Sequence, residues 1–347
     1  MLSALEWYLG VSLRVFEKRG AEELAPQPSG VETTANYHYL GRRDPVEFCR
    51  DLRSRVEEGA IVFVGDSQGA AARDHGPGYP LLVARRLADG GHSTPVISLH
   101  AGGANAYEQG MLLLTLLDAG IEPRIVVWSH SIFSQRKNEI RNEYAKAWHG
   151  LGGKAARIAP DVIVPALPES MDPEVDRLRR VVASVSGAWE GLITRAATVR
   201  FMRRPLWDKG EIVRRSPLCR LLPAGVQPGT ARQFDPPASI LREAARFVGE
   251  VSVMLGARGA VVMHFVAPIN RAVSPRPFSA RAEDASYPAL ERAAQASGSR
   301  FLNLLDAMPP ERFGRYEDGS PDAFHLDESA HAKLADLILS QLPEMPR

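Results

Sequence analysis

Five short apolar runs, which alternate with segments whose apolar residues have helical spacing, limit the fold of this chain more than any other feature. A nearly continuous apolar run is typical of a strand that is covered on both faces. The runs are residues 60–65, 95–100, 124–129, 259–267 and 300–305. The helical segments are residues 79–88, 106–120, 240–255, 287–297 and 328–342. This alternation predicts an α/β fold in three layers, with helices on both faces of a doubly wound, five-stranded parallel sheet.

Two segments do not follow the alternation. Residues 1–57 precede the first strand, and we interpret them as an N-terminal extension. Residues 135–238 separate the third strand from the fourth, which is far more chain than a connection between a strand and a helix needs. We therefore predict one domain over residues 58–347, with a helical, lid-like insertion at about 135–238.

The composition argues against several classes of function. The chain has 42 basic and 41 acidic residues and no nucleic-acid-binding motif, so we expect no nucleic acid partner. Its two cysteines, Cys49 and Cys219, are too few for a disulfide framework or a cysteine metal cluster. No phosphate-binding loop or dinucleotide fingerprint follows a strand, so we expect no cofactor. His75 and His100 lack spaced carboxylates, and we expect no metal site.

The first twenty residues, MLSALEWYLGVSLRVFEKRG, fit neither a secretory signal nor a membrane span. Glu6 interrupts an apolar run that is already shorter than the roughly 20 residues needed to cross a bilayer. The apolar positions instead predict an amphipathic helix, which packs against the protein or, alternatively, lies on a membrane surface. Together with the scarcity of cysteine, this pattern predicts a soluble, cytoplasmic protein.

The pentapeptide Gly65-Asp66-Ser67-Gln68-Gly69 permits two interpretations. It fits the G-x-S-x-G nucleophile elbow of α/β-hydrolases, and it also fits a Gly-Asp-Ser turn that closes the first strand of another serine-hydrolase fold. The elbow normally follows several strands, and its oxyanion loop lies upstream. Here Ser67 follows the first strand and the glycine-containing loop His100–Gly103 lies downstream, so the order of motifs argues against the elbow.

The motifs of this chain, taken in order, resemble those of the SGNH/GDSL hydrolase family of serine esterases and acyltransferases. They are Gly65-Asp66-Ser67 after the first strand, Gly103 after the second, and Asp322-x-x-His325 before the last helix. The resemblance extends from about residue 58 to 340, apart from the insertion. It implies a flavodoxin-like sheet, a catalytic triad of Ser67, His325 and Asp322, and an oxyanion hole that contains the N–H groups of Ser67 and Gly103.

The third motif of the family, Gly-x-Asn after the third strand, is absent. Trp128-Ser129-His130-Ser131 occupies that place, so the asparagine that would donate to the oxyanion is missing. His130, Ser131 and Asn105 are the candidate replacements. Family members that act as acyltransferases on polysaccharides or cell-wall polymers often depart from the esterase pattern here, and this departure keeps an acyltransferase activity open.

The residue types of the expected triad suit acyl transfer. A serine hydroxyl is a poor nucleophile unless a base removes its proton, and the imidazole of His325 can do so near neutral pH. Asp322 would orient that ring, and a single turn can supply both side chains. Against these roles, Ser67 alone could be a helix N-cap. We interpret Asp66 as a residue that closes the turn and His264 as a hydrogen-bonded core histidine.

The predicted insertion carries a basic segment, residues 195–220. Its basic residues are Arg195, Arg200, Arg203, Arg204, Lys209, Arg214, Arg215 and Arg220. They form either a solvated helix face or a surface for an anionic polymer, an acidic acyl carrier or membrane headgroups. We expect a small-molecule or polymer ester as substrate. Three functions remain open: a serine esterase, an O-acyltransferase to a sugar or polymer hydroxyl, and an inactive scaffold on the same fold. The sequence does not specify the oligomeric state.

Overall fold

The structure is a computed structural model that describes residues 36–38, 44–56, 59–69, 77–135, 137–165, 236–274, 276–315 and 321–343. These residues belong to one compact unit, which comprises Val31–Leu167 and Arg232–Arg347. The predicted amphipathic helix at the N-terminus and the basic segment 195–220 lie outside the described residues.

A six-stranded sheet forms the centre of this unit. Its strands are β1 (Asn36–His38), β2 (Ile61–Gly65), β3 (Val96–His100), β4 (Ile125–His130), β5 (Val261–Val266) and β6 (Arg300–Asn303). Every pair of neighbours is parallel, and the order is β1-β3-β2-β4-β5-β6. Strands β2–β6 are the five predicted strands, so the predicted doubly wound parallel sheet is confirmed. The short strand β1 adds an edge that the sequence analysis placed in the extension.

Nine helices and a small antiparallel sheet accompany the strands within the described ranges. The helices are α1 (Pro45–Arg53), α2 (Tyr79–Asp89), α3 (Ala106–Asp118), α4 (Ile132–Gln135), α5 (Asn142–Gly150), α6 (Gly153–Ile158), α7 (Ala238–Gly256), α8 (Ala280–Ala296) and α9 (Glu328–Leu339). Strands β7 (Phe313–Arg315) and β8 (Pro321–Leu326) pair antiparallel. Helices α5 and α6 lie within the stretch predicted as an insertion. None of the described helices is both long and apolar enough to cross a membrane.

The central strands separate two apolar layers. Val62, Val64 and Val126 pack in a cluster with residues of α3 and α7. Ile61 and Phe63 point to the opposite face, where they pack with residues of α2 and α9. Side chains alternate between the faces of a strand, and both faces are covered, so the central strands read as continuous apolar runs. Burying each such side chain contributes about 1.5–3 kcal/mol.

The segment that carries Asp322 and His325 differs from its prediction. The sequence analysis considered that a single turn before the last helix can supply both residues, whereas the structure places them in strand β8. This strand pairs with β7, which contributes the buried side chain of Phe313. Asp327 then caps α9 by accepting a hydrogen bond from the Ala330 N–H at 2.7 Å.

The contact between α3 and α7 predicts that alanine at position 110 destabilises the protein, although alanine in place of glycine ordinarily stabilises a helix. A Cβ atom on Gly110 would overlap the buried ring of Phe247. Alanine is the better helix former by up to about 1 kcal/mol, but overpacking a core costs about 1–3 kcal/mol. We therefore expect Gly110→Ala to lower the free energy of unfolding, measured by urea denaturation.

Gly256→Ala, in the last turn of α7, is the matched control because nothing lies within 4 Å of its added Cβ. It should leave the stability unchanged or raise it slightly. Equal stabilities for the two variants would show that the α3–α7 contact is looser than the structure indicates.

Candidate active site

Ser67 lies in a 3₁₀ turn (Ser67–Gly69) directly after the carboxyl end of β2. Asp66 closes this turn, because its Oδ1 accepts a hydrogen bond from the Gln68 N–H at 3.0 Å. Its Oδ2 accepts a second from the Ser131 hydroxyl at 2.7 Å, which ties the turn to the end of β4. The structure therefore gives Asp66 the turn-closing contacts expected from the sequence.

The side chains of Ser67, His325 and Asp322 meet although the first two lie 258 positions apart. The distance from Ser67 Oγ to His325 Nε2 is 3.1 Å. On the other side of the ring, His325 Nδ1 lies 2.9 Å from Asp322 Oδ2. A carboxylate can only accept hydrogen bonds, so Nδ1 carries the proton and Nε2 is left as an acceptor that faces the serine hydroxyl. The three side chains form a continuous hydrogen-bonded chain.

Asp322 is completely buried and is held as a carboxylate. Its Oδ1 accepts hydrogen bonds from the backbone N–H groups of Phe324 at 2.8 Å and His325 at 3.1 Å. Burial by itself raises the pKa of Asp322. The hydrogen bond and charge of His325, with the two backbone donors, outweigh burial and bring the pKa below its ordinary value. At neutral pH the carboxylate is therefore ionised and can stabilise a protonated imidazole.

Gln68 is a site residue that the sequence analysis missed. Its buried amide Nε2 donates to the carbonyl oxygens of Pro268 at 2.8 Å and Phe324 at 2.6 Å. Phe324 directly precedes His325, so Gln68 fixes the turn that carries Ser67 against the strand that carries His325. No local pattern signals this role, because both contacts are to backbone groups that only the fold brings near.

Two glycines of the turn are required by close packing. A Cβ atom on Gly65 would overlap the Ser129 hydroxyl, and one on Gly69 would overlap the ring of His100. That ring is buried and bound on both sides, by the Tyr79 hydroxyl at 2.8 Å from Nε2 and the Ser98 hydroxyl at 2.9 Å from Nδ1. The turn that carries Ser67 therefore lies on a fixed polar support.

Gly103 lies in the loop between β3 and α3, and β3 is a neighbour of β2 in the sheet. Its φ of +66° is in the left-handed region that favours glycine. The loop ends at Asn105, which caps α3: its Oδ1 accepts from the Glu108 N–H at 3.0 Å, and its Nδ2 donates to the Glu139 carbonyl. The side chain of Asn105 is thus used on both atoms within this helix start.

The two other candidate oxyanion donors also have partners in the structure. Besides its hydroxyl bond to Asp66, Ser131 donates its backbone N–H to the Ser134 hydroxyl at 3.3 Å. The ring of His130 is fully buried, and its Nε2 lies 2.9 Å from Nδ1 of His264. No contact joins either residue to Ser67 within the described part of the chain. Their role as donors, like that of Asn105, stays a prediction.

His130 and His264 form a neutral pair inside the protein. His264 Nε2 also lies 3.0 Å from the Ser252 hydroxyl, so the prediction of a hydrogen-bonded core histidine is confirmed. Burial lowers the pKa of His264 to about 3. Burial and the neighbouring His264 lower the pKa of His130 well below its ordinary value. Among the described residues, no group of three or more His, Cys, Asp or Glu side chains is placed to hold a metal ion.

Sequence comparisons identify no relative, since neither a family model nor a curated protein matches the chain. Solved structures with a similar chain trace do exist. A lipase/acylhydrolase from Enterococcus faecalis is 13% identical, covers 83% of this chain and 100% of its own, and gives a TM-score of 0.42. The acetyl xylan esterase AlAXEase is 15% identical, with 82% and 100% coverage and a TM-score of 0.42.

A single-residue variant of Axe2, an acetyl xylan esterase from Geobacillus stearothermophilus, is 12% identical. It covers 84% of this chain and 99% of its own, with a TM-score of 0.41. At these identities the likeness concerns the path of the chain alone.

The buried histidine pair predicts how stability depends on pH. In the unfolded chain both rings bind a proton near pH 6.5, whereas the folded protein keeps them neutral to much lower pH. The contribution of the two neutral rings to the free energy of unfolding is therefore complete above pH 6.5. It is lost as the pH falls from 6.5 toward the pKa values of the folded protein. We expect the free energy of unfolding to decline by about 1.4 kcal/mol per pH unit for each ring in that window.

Urea denaturation between pH 8 and 4.5, with NMR titration of the imidazole C–H signals, checks this prediction. Normal titration of the His130 and His264 signals near pH 6.5 in the folded protein would contradict it.

Proposed function

We propose that this protein is a serine-dependent ester hydrolase that acts through an acyl-enzyme on Ser67. One observation carries the proposal: His325 lies 3.1 Å from Ser67 Oγ through Nε2 and 2.9 Å from the buried Asp322 carboxylate through Nδ1. A nucleophile within reach of a base that a third group orients is the arrangement that activates a serine hydroxyl. The side chain of His325 is 30% exposed, so the pair is open to a substrate.

The proposed reaction begins when Ser67 Oγ attacks the ester carbonyl carbon while its proton passes to His325 Nε2. The ionised Asp322 stabilises the imidazolium that forms. The carbonyl oxygen becomes an oxyanion, for which the backbone N–H groups of Ser67 and Gly103 are the proposed donors. As the C–O bond breaks, His325 returns the proton to the departing alcohol. Water then attacks the acyl-enzyme by the same sequence, which releases the acid and restores Ser67.

The same acyl-enzyme supports a second candidate function, transfer of the acyl group to a sugar or polymer hydroxyl. The observation that favours it is the segment Trp128–Ser131, which replaces the donor of an ordinary esterase. Ser129 donates to the Val64 carbonyl at 3.2 Å, and His130 and Ser131 are bonded within the fold as described. A site with fewer oxyanion donors is expected to slow every acyl step, because each such donor contributes about 10²–10³ in rate. The acyl-enzyme would then persist longer, and a sugar hydroxyl bound beside it could compete with water.

Hydrolysis of p-nitrophenyl esters from acetate to octanoate, combined with fluorophosphonate labelling, tests the proposal. We expect Ser67→Ala to abolish both labelling and turnover. Asp322→Asn should lower kcat by about 10³–10⁴, because the His325 ring loses the partner that sets its tautomer. Ser54→Ala is the matched control: this exposed hydroxyl bonds only the Asp51 carbonyl within the described contacts, and its loss should change neither signal.

The outcomes separate the three functions. Turnover that depends on Ser67 supports the hydrolase, and the chain-length profile gives the size of the acyl pocket. Labelling with slow hydrolysis that glycerol or a soluble oligosaccharide accelerates indicates the acyltransferase. If wild-type protein neither labels nor turns over, Ser67 is not a nucleophile and an inactive scaffold becomes the better description.

A further inference from the structure

We propose that Arg141 is a positioning residue of the oxyanion hole, which it orders by fixing the peptide unit between Gly102 and Gly103. The inference rests on the proposed function and deepens it. Arg141 Nη1 donates a hydrogen bond to the Gly102 carbonyl oxygen at 3.1 Å. That carbonyl and the Gly103 N–H belong to one planar, trans peptide unit, in which they point in opposite directions. Holding the oxygen therefore fixes the direction of the N–H.

This peptide unit lies where a turn can adopt two orientations. The Ala104 N–H donates to the Ala101 carbonyl at 3.0 Å, which makes Gly102 and Gly103 the central residues of a β-turn. The φ of +66° at Gly103 matches a type II turn. Types I and II differ mainly in the direction of the central peptide unit, as their backbone angles show. Because glycine occupies both central positions, steric repulsion alone favours neither turn type strongly.

Side-chain packing does not hold this turn. A Cβ atom placed on Gly102 or on Gly103 would meet nothing within 4 Å. The contact with Arg141 therefore supplies a restraint that the glycines themselves lack. Because a guanidinium makes the bond charge-assisted, it also draws electron density toward the Gly102 oxygen and strengthens the Gly103 N–H as a donor.

Arg141 is itself anchored by a buried carboxylate. Its Nε lies 2.9 and 3.1 Å from the two oxygens of Glu108, and its backbone N–H donates to Glu108 Oε1 at 2.9 Å. Glu108 is fully buried and also accepts the Asn105 N–H at 3.0 Å. The guanidinium lies 4.8 Å from the centre of the Tyr144 ring. A buried charge needs such partners, so the pair holds the arginine beside the turn.

The test compares Arg141→Ala and Arg141→Lys with wild type, with kcat expressed per Ser67 that fluorophosphonate labels. A lysine keeps the charge but lacks the planar fork that reaches Glu108 and Gly102 together. We expect both variants to lower kcat by about 10–100-fold, which is less than the 10²–10³ for a donor that is removed, because the Gly103 N–H remains and only its orientation is lost. KM should stay within about twofold. The affinity for an alkylboronic acid, which forms a tetrahedral anion on Ser67, should fall by a similar factor.

Chemical rescue and a matched arginine complete the design. The Arg141 side chain is 35% exposed, so millimolar guanidinium can enter the space that Arg141→Ala leaves. We expect it to raise the kcat of that variant at least fivefold, whereas sodium chloride at the same concentration should not. Arg258→Ala removes an exposed partner of Glu122 and should leave kcat unchanged.

The outcomes distinguish this inference from the proposed function. Wild-type protein without labelling or turnover overturns the proposed function and this inference with it. An active wild type whose Arg141 variants keep kcat per labelled site within twofold overturns only the role of Arg141. The role of Arg141 is also overturned if kcat falls without a loss of boronate affinity, or if guanidinium does not restore kcat. A purely structural defect is recognised separately, because it lowers the number of labelled sites and leaves kcat per labelled site unchanged.

Discussion

Gln68 joins the turn that carries Ser67 to two parts of the fold through one buried amide: it donates to Phe324 in the strand that carries His325, and to Pro268 just after β5. The two halves of the candidate site come from opposite ends of the chain, so their separation is set by tertiary contacts and not by local geometry. Asp66 makes the corresponding connection on the other side, to Ser131 at the end of β4. The turn is thus held both by the strand that carries His325 and by the end of β4. This restraint maintains the 3.1 Å contact between Ser67 and His325, which lie 258 positions apart.

Strands β2–β5 were predictable because each is covered on both faces and therefore reads as an apolar run. The edge strand β6 is only partly buried, and it was found from the apolar residues in and after it. The meeting of Ser67 with Asp322 and His325 followed from the order of motifs. Strand β1 gave no such signal, because its three residues, Asn36–His38, contain no apolar run. The D-x-x-H spacing fits either a turn or a strand, and only pairing with β7 decides for the strand.

Gln68 and Arg141 could not be found from the sequence for a different reason. Each acts through side-chain bonds to backbone carbonyls, which every residue possesses, so no partner residue type marks the contact. Gln68 reaches carbonyls 200 and 256 positions away, and Arg141 reaches one 39 positions away. A sequence pattern records which side chains are present, and it does not record which peptide groups the fold places beside them.

The polar groups of the segment Trp128–Ser131 are occupied by contacts inside the fold. Trp128 donates from Nε1 to the Gln109 side chain at 2.8 Å, and Ser129 donates to the Val64 carbonyl. Next to them, His130 and Ser131 bond His264 and Asp66. These polar groups therefore hold neighbouring strands, a helix and the turn that carries Ser67 together. Few side-chain donors of this segment are therefore available to bind another molecule.

The glycines around the candidate site differ in how freely they can change over evolutionary time. Gly69 cannot gain a side chain while His100 fills the space beside it, so the two positions can diverge only together. Gly102 has open space beside it and does not have a left-handed φ, so many residues fit there without a clash. Descendants of this sequence can therefore acquire new side chains at Gly102 while the turn that carries Ser67 stays as it is.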